Sequence, residues 1–78
     1  MIEKKEKLII TFYTTTEAMK MEDICKSCSA NGRIIPVPGF ISAGCGLAWC
    51  ADVQWEQQLM QLMTDSDIVC QGVHKCMI

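Results

Sequence analysis

The sequence is short of three features that would assign it a class of partner. It has no long hydrophobic run, and its longest uncharged apolar stretch is far below the roughly 20 residues of a membrane-spanning helix. Its 7 Lys+Arg against 9 Asp+Glu give a net charge of −2, which provides no basic field to steer it toward nucleic acid. The single histidine, His74, is interpreted as a solvated side chain. We therefore expect no nucleic-acid partner and no membrane association.

A secretion signal is also missing. The charged segment 1–7 is followed by an apolar run, 8–10, that is too short for the core of a signal peptide, and no small-residue cleavage site follows it. We therefore expect a cytoplasmic, reducing environment. In that environment the six cysteines indicate buried thiols, metal ligands or sulfur chemistry rather than a disulfide framework.

The short length of the chain limits the number of domains it can form. Seventy-eight residues allow one domain, predicted here as residues 7–78 after a charged leader at 1–6. A chain of this size hides only about 60% of its surface on folding, so a homodimer would be unsurprising. The size excludes a two-domain enzyme with a wide substrate cleft. It leaves small carriers, binding modules, metallochaperones and subunits.

Hydrophobic periodicity predicts six elements in the order β-α-β-β-α-β. The predicted strands are 7–13, 33–37, 47–51 and 68–75. The first predicted helix starts at a capping box formed by Thr14 and Glu17 and ends at Asn31-Gly32. The second starts at a cap formed by Asp52 and ends at Leu62 or Met63. This order is the ferredoxin-like pattern, an α+β fold with a four-stranded antiparallel sheet and two helices on one face. Pro36 places the second strand at a sheet edge. Apolar residues on the face without helices would favour a dimer or a partner.

Cys25 and Cys28 form a CxxC pair near the end of the first helix. Redox pairs of this kind use a cysteine at a helix N-terminus, where the dipole lowers its pKa. At the C-terminal end the dipole disfavours a thiolate, and both positions fall on the apolar stripe, so the first interpretation is two core residues. Metal binding is a weaker alternative, because a zinc site would need further ligands such as Cys70, His74 or Cys76.

Cys45 differs from the other cysteines, because it lies in a glycine-rich segment that no packing stripe includes. Gly44 and Gly46 flank it, and glycines let backbone N–H groups approach a thiolate or an incoming anion. Such donors favour the thiolate, which is the reactive form. No histidine or carboxylate lies at an obvious spacing to act as a base, so simple sulfur exchange is favoured over a protease-like site. Cys50, in the third predicted strand, is interpreted as a packing residue.

Three segments carry a combination of motifs. A strand ends in Pro-x-Pro (Arg33-Ile34-Ile35-Pro36-Val37-Pro38), a loop leads into Cys-Gly-Leu-Ala (Ile41-Ser42-Ala43-Gly44-Cys45-Gly46-Leu47-Ala48), and a Phe with a Thr-rich helix start stands upstream (Phe12 followed by Thr14-Thr15-Thr16-Glu17-Ala18). Together these segments resemble a known family of small domains, the selenium/sulfur carrier-like proteins. The resemblance covers roughly residues 8–74.

The resemblance implies a ferredoxin-like βαββαβ domain with Cys45 as the carrier thiol. One departure concerns the two positions after Leu-Ala, which often hold an aliphatic and then a basic residue in the family. Trp49 and Cys50 stand there in this sequence. The lost cation would leave the Cys45 thiolate less stabilised if that side chain points toward it. No role is implied for the other cysteines.

Three functions of different classes follow. The first is a sulfur or selenium carrier that holds a persulfide or selenyl-sulfide on Cys45, taken from a protein donor such as a cysteine desulfurase and passed to an acceptor protein. Such a protein is a carrier or accessory rather than an independent enzyme, and no cofactor is expected. The second is a soft-metal module for Zn²⁺ or Cu(I), with Cys25 and Cys28 as candidate ligands. The third is a non-catalytic module for dimerisation or partner binding.

Overall fold

A computed structural model describes residues 5–39, 41 and 46–77 of the chain. Its elements are β1 (Glu6–Thr11), α1 (Thr15–Cys28), β2 (Arg33–Pro36), β3 (Leu47–Asp52), a short 3₁₀ turn (Val53–Trp55), α2 (Glu56–Asp65) and β4 (Gly72–Met77). The predicted order β-α-β-β-α-β is therefore confirmed. None of the helices in the described residues is long and apolar enough to span a membrane.

The four strands form one antiparallel sheet in the order β2-β3-β1-β4. β1 is the central strand: Ile9 stands opposite Cys50 of β3 on one side and opposite His74 of β4 on the other. β2 and β4 are the two edges, so the edge position predicted from Pro36 is confirmed. This is the strand arrangement of the ferredoxin-like α+β fold.

Side-chain alternation along β1 decides which face of the sheet is covered by helices. Leu8, Ile10 and Phe12 have no exposed surface and belong to one buried cluster with residues of both helices. The other members of that cluster include Ala18, Met21 and Cys25 of α1, Trp49 and Ala51 of β3, and Leu59 and Met63 of α2. Both helices therefore pack on the same face of the sheet, as the sequence predicts.

Helix α1 begins as predicted and ends earlier than predicted. The Thr14 hydroxyl accepts the N–H of Glu17 at 3.3 Å, which caps the first turn. The Glu17 carboxylate accepts the N–H of Val69 at 3.1 Å and so ties the helix start to the segment before β4. The helix ends at Cys28 because Ser29 adopts a left-handed conformation (φ 54°). Asn31-Gly32 was the wrong stop signal, since both residues belong to the connection into β2.

Two predictions in the second half of the chain are wrong in detail. Asp52 makes no side-chain cap hydrogen bond. Its carboxylate binds Lys7 and Asn31 instead, and α2 starts only after the 3₁₀ turn. The last strand begins at Gly72 rather than at residue 68, because Ile68 is drawn into the helix-side core.

Candidate functional site

The connection between β2 and β3 carries the predicted carrier residue. The hairpin is held at its base by the N–H of Val37, which donates to the carbonyl of Gly46 at 3.0 Å. On the β2 side, the N–H of Ile41 donates to the carbonyl of Pro38 at 2.9 Å. The hydrogen bond between Val37 and Gly46 continues the β2–β3 pairing by one step beyond Pro36 and Leu47.

Of the three residues predicted to form the carrier site, the structure describes only Gly46. Cys45 and Gly44 lie outside the described residues. Gly46 is exposed and has φ +75°, a left-handed conformation that glycine adopts without the steric cost of a Cβ. Glycine at this position is therefore a backbone requirement of the turn into β3.

The two positions that depart from the family pattern point to opposite faces of the sheet. Trp49 lies in the helix-side core with 2% of its surface exposed, and its indole N–H donates to the Asn31 carbonyl at 3.1 Å. Gly32 makes this packing possible, because a Cβ there would fall against the Trp49 ring and 2.7 Å from the Cys50 carbonyl. Cys50 lies on the other face of the sheet. The two departures from the family pattern therefore lie in different environments, Trp49 in the core and Cys50 outside it.

We call the side of the sheet away from the helices the open face. The register places its members in rows across the strands: Arg33, Cys50, Ile9 and His74 in one row, and Asp52, Lys7 and Cys76 in the next. Ile9, Thr11 and Ala48 at its centre have no exposed surface. The open face is therefore an apolar centre bordered by thiols and charged groups, rather than a bare apolar surface.

Cys50 is the thiol in the most charged environment among the described cysteines. Burial raises its pKa above the ordinary value of 9.0, and the negative charges of Asp52 and Cys76 act in the same direction. The cations Lys7 and Arg33 oppose that rise. Lys7, Arg33 and Cys50 also line one shallow cavity of about 290 Å³. Cys50 stands at the position that often carries a basic residue in the family, and two cations from neighbouring strands, Lys7 and Arg33, lie close to it.

The CxxC pair is divided between core and surface. Cys25 is 1% exposed, and burial, with a smaller contribution from Cys28, raises its pKa to about 11. Cys28 is exposed, so its predicted place on the buried stripe is wrong. It is the last residue of α1 and lies three residues beyond Cys25, the last buried residue of the helix.

A metal site at Cys25 and Cys28 gains no support from the geometry. Within one chain, the described residues bring no three side chains of His, Cys, Asp or Glu together as metal ligands. The five described cysteines, including Cys70 and Cys76, are free thiols.

These observations place the protein in a class: a ferredoxin-like α+β domain with several free thiols and with Gly46 in a left-handed conformation immediately before β3. The chain matches the model of the family described as "Putative Se/S carrier protein-like" over residues 7–75. Since the match spans most of the chain, the protein belongs to this family, and the resemblance predicted from the sequence is confirmed. No curated protein and no solved structure matches the chain.

Sequence reasoning missed the charged surroundings of Cys50, which it had treated as a packing residue. The signal was present in the alternation of the strands. Lys7 and Ile9 alternate with the core residues of β1, and Cys50 alternates with Trp49 and Ala51 of β3. Pairing these strands antiparallel puts the thiol and the cation on one face, but the register that brings them together could not be known in advance.

Proposed function

We propose that this protein carries sulfur or selenium on Cys45 and relays it between a donor protein and an acceptor protein. The observation that carries the proposal is the family match over residues 7–75, which includes the Cys-Gly-Leu-Ala segment beginning at Cys45. Cysteine supplies the soft nucleophile for this chemistry, since the thiolate attacks sulfane sulfur directly.

The loading step is an exchange between the Cys45 thiolate and a persulfide on the donor protein. The Cys45 thiolate attacks the terminal sulfur of a donor persulfide, forms a new S–S bond and releases the donor cysteine as a thiolate. In the delivery step an acceptor thiolate attacks the terminal sulfur on Cys45, which leaves the Cys45 thiolate regenerated. Each step moves one neutral sulfur atom with its proton and requires no external oxidant or reductant. A selenium atom in the terminal position follows the same exchange.

The states of two other thiols support a division of roles. Cys25 is buried with its pKa raised to about 11, and Cys50 has a raised pKa in spite of two nearby cations. Both are therefore mainly protonated near neutral pH, and a protonated thiol is a poor nucleophile. A carrier thiol needs the opposite condition, which donors from a glycine-bounded turn can provide.

The test is loading by a purified cysteine desulfurase with cysteine as substrate, read by intact mass. The expected result is a gain of one sulfur atom that survives mild desalting and is removed by a reductant. Cys45→Ser should lose this gain, whereas Cys28→Ser, which removes the exposed thiol of α1, should keep it. Circular dichroism confirms that both variants are folded. Equal loading of the Cys45→Ser protein would reject the proposal.

A further inference from the structure

The last turn of α1 holds two thiols that the carrier proposal does not use. Cys25 and Cys28 are three residues apart in this helix, and both are free thiols. Side chains three residues apart on a helix are neighbours, with Cβ atoms about 5–6 Å apart. Cys25 is 1% exposed, whereas Cys28 is exposed. The pair therefore offers one thiol that an outside molecule can reach and, next to it, a second thiol in the core.

The backbone at the end of α1 keeps these two cysteines in one closed loop. The N–H of Ser29 donates to the carbonyl of Lys26 at 3.4 Å, and the N–H of Ala30 donates to the carbonyl of Cys25 at 2.8 Å. With Ser29 in a left-handed conformation (φ 54°), these two bonds form the Schellman pattern of a helix end. The loop that they close contains both thiols, so the backbone holds the pair together.

A disulfide between the two positions is within geometric reach. Cα atoms three residues apart in an α-helix are about 5 Å apart, inside the range of about 4.4–6.8 Å that disulfides span. The Cβ atoms must approach to about 4 Å, which is about 1–2 Å closer than in a regular helix. Cys28 can make this movement because it is the last residue of α1. Cys25 borders a cavity of about 230 Å³, so its sulfur has room to turn toward Cys28.

From this geometry we propose that Cys25 and Cys28 are a redox switch, which a small-molecule disulfide closes into an intramolecular disulfide. The Cys28 thiolate attacks one sulfur of the small molecule, forms a mixed disulfide and releases the first small thiolate, which takes up the Cys28 proton. Cys25 then loses its proton and attacks the sulfur of Cys28, which forms the Cys25–Cys28 bond and releases the second small thiol. Two protein thiols are oxidised, and one small disulfide is reduced to two thiols.

The position of the pair distinguishes it from the CxxC sites of redox catalysts. Catalysts hold the attacking cysteine at a helix N-terminus, where the dipole favours the thiolate. Here the pair lies at the C-terminal end, and burial, with a smaller contribution from Cys28, raises the pKa of Cys25 to about 11. The second step is therefore slow, as expected of a switch that responds to sustained oxidation. The proposal goes beyond sulfur carriage and does not involve Cys45.

Closing the switch changes the surface where the end of α1 meets the sheet. The cavity beside Cys25 is also lined by Arg33 of β2 and Trp49 of β3. Drawing Cys28 toward Cys25 therefore alters the wall of this cavity on the helix side.

The experiment treats the fully reduced protein with oxidised glutathione, stops the reaction with acid and blocks the remaining thiols with N-ethylmaleimide. Trypsin cuts after lysine and arginine, so cleavage after Lys26 puts Cys25 and Cys28 on separate peptides, 21–26 and 27–33. Mass spectrometry without reduction should first find a glutathione adduct on peptide 27–33, and later the two peptides joined by a disulfide in a monomeric protein. Dithiothreitol should reverse both changes.

Three variants separate the two steps. Cys25→Ala keeps a small apolar side chain in the core but cannot complete the second step. At the end of the reaction its glutathione adduct on Cys28 should exceed that of the parent by at least about tenfold. Cys28→Ser should leave Cys25 as a free thiol. Cys45→Ser should form the joined peptides as the parent does, so failure of the carrier proposal and failure of this one are separate results.

Circular dichroism confirms that each variant is folded. A glutathione adduct on Cys28 that persists in the parent protein would overturn the proposal, as would a Cys28 that never reacts. A disulfide that joins Cys25 to any other cysteine, or joined peptides found only in covalent dimers, would also overturn it.

Discussion

Asn31 and Asp52 hold each other through two hydrogen bonds. The backbone N–H of Asp52 donates to Asn31 Oδ1 at 2.7 Å, and Asn31 Nδ2 donates to Asp52 Oδ2 at 3.3 Å. The pair joins the connection after α1 to the end of β3. Asp52 also binds the Lys7 ammonium at 2.5 Å, so the start of β1 is tied to the same point.

Replacing Asn31 with Ala should lower the free energy of unfolding by about 1–2 kcal/mol, because it leaves a part-buried backbone N–H without its acceptor. Urea denaturation followed by circular dichroism measures the change. Gln61→Ala is the matched control, because Gln61 also bonds a carboxylate, that of Asp65 at 2.9 Å, but on the exposed surface of α2. Equal losses for the two variants would show that the Asn31–Asp52 link does not stabilise the fold.

Gly32 lies so close to the core that a larger residue at this position would destabilise the protein. It has φ +121°, and an added Cβ would meet the Trp49 indole and the Cys50 carbonyl. Gly32→Ala should therefore destabilise the protein by about 2–4 kcal/mol, combining overpacking with a strained backbone. Thermal melting gives the measurement. Gly39→Ala is the control, since nothing lies within 4 Å of its Cβ position, and its melting temperature should stay close to that of the parent.

The acid stability of the protein should depend on Lys7. The hydrogen bond from Lys7, more than any other cause, holds the pKa of Asp52 below its ordinary value of 3.8. A carboxyl with a lowered folded-state pKa contributes stability above its unfolded pKa and loses it as the pH falls through the folded value. Lys7→Met should therefore be less stable than the parent near neutral pH, with the gap closing as the pH falls below about 4. Denaturant unfolding across that range checks this, and a gap that is constant with pH would contradict it.

Cys25 should show the opposite pH dependence. Its pKa is raised from 9.0 to about 11, so the folded state retains a proton that the unfolded chain releases. Stability from this thiol is complete below pH 9 and is lost as the pH rises toward 11. Relative to Cys25→Ala, the parent should lose about 2–3 kcal/mol over this interval. A difference between the two proteins that does not change in this pH interval would contradict the account.

The same shift predicts slow alkylation of Cys25. Two units of pKa lower its thiolate fraction about 100-fold relative to an ordinary thiol near neutral pH, and burial slows it further. Iodoacetamide labelling followed by peptide mass spectrometry should therefore modify the exposed Cys28 well before Cys25. Comparable rates for the two thiols would show that the end of α1 opens readily.

The sequence predicted the fold because each element carries a local signal. Alternation along β1 and its next residue marked Leu8, Ile10 and Phe12 as one face, and the Thr14 cap fixed the start of α1. The helix end and the role of Asp52 could not be predicted in this way. Ser29 adopts a left-handed conformation that serine does not usually favour, so the sequence gives no signal for it. Asp52 can either cap a helix or bind a cation, and the cation that it binds, Lys7, lies 45 residues away in the sequence.

The candidate site was predictable only in part. The glycine-bounded Cys45 segment is visible in the sequence, and family membership follows from the whole chain. The charged neighbours that Cys50 gains from other strands depend on the register of three strands, since Arg33 reaches it from β2 and Lys7 from β1. Contacts between residues this far apart in sequence have no local signature.

The most direct test of sulfur carriage is to find which of the six cysteines holds the transferred atom. The protein is loaded from a donor desulfurase supplied with ³⁵S-labelled cysteine, the persulfide is trapped by alkylation, and the label is located by peptide mapping. The account predicts label on the peptide that contains Cys45, lost on incubation with an acceptor thiol. Label concentrated at Cys28 or Cys50, or no label on any cysteine, would contradict it.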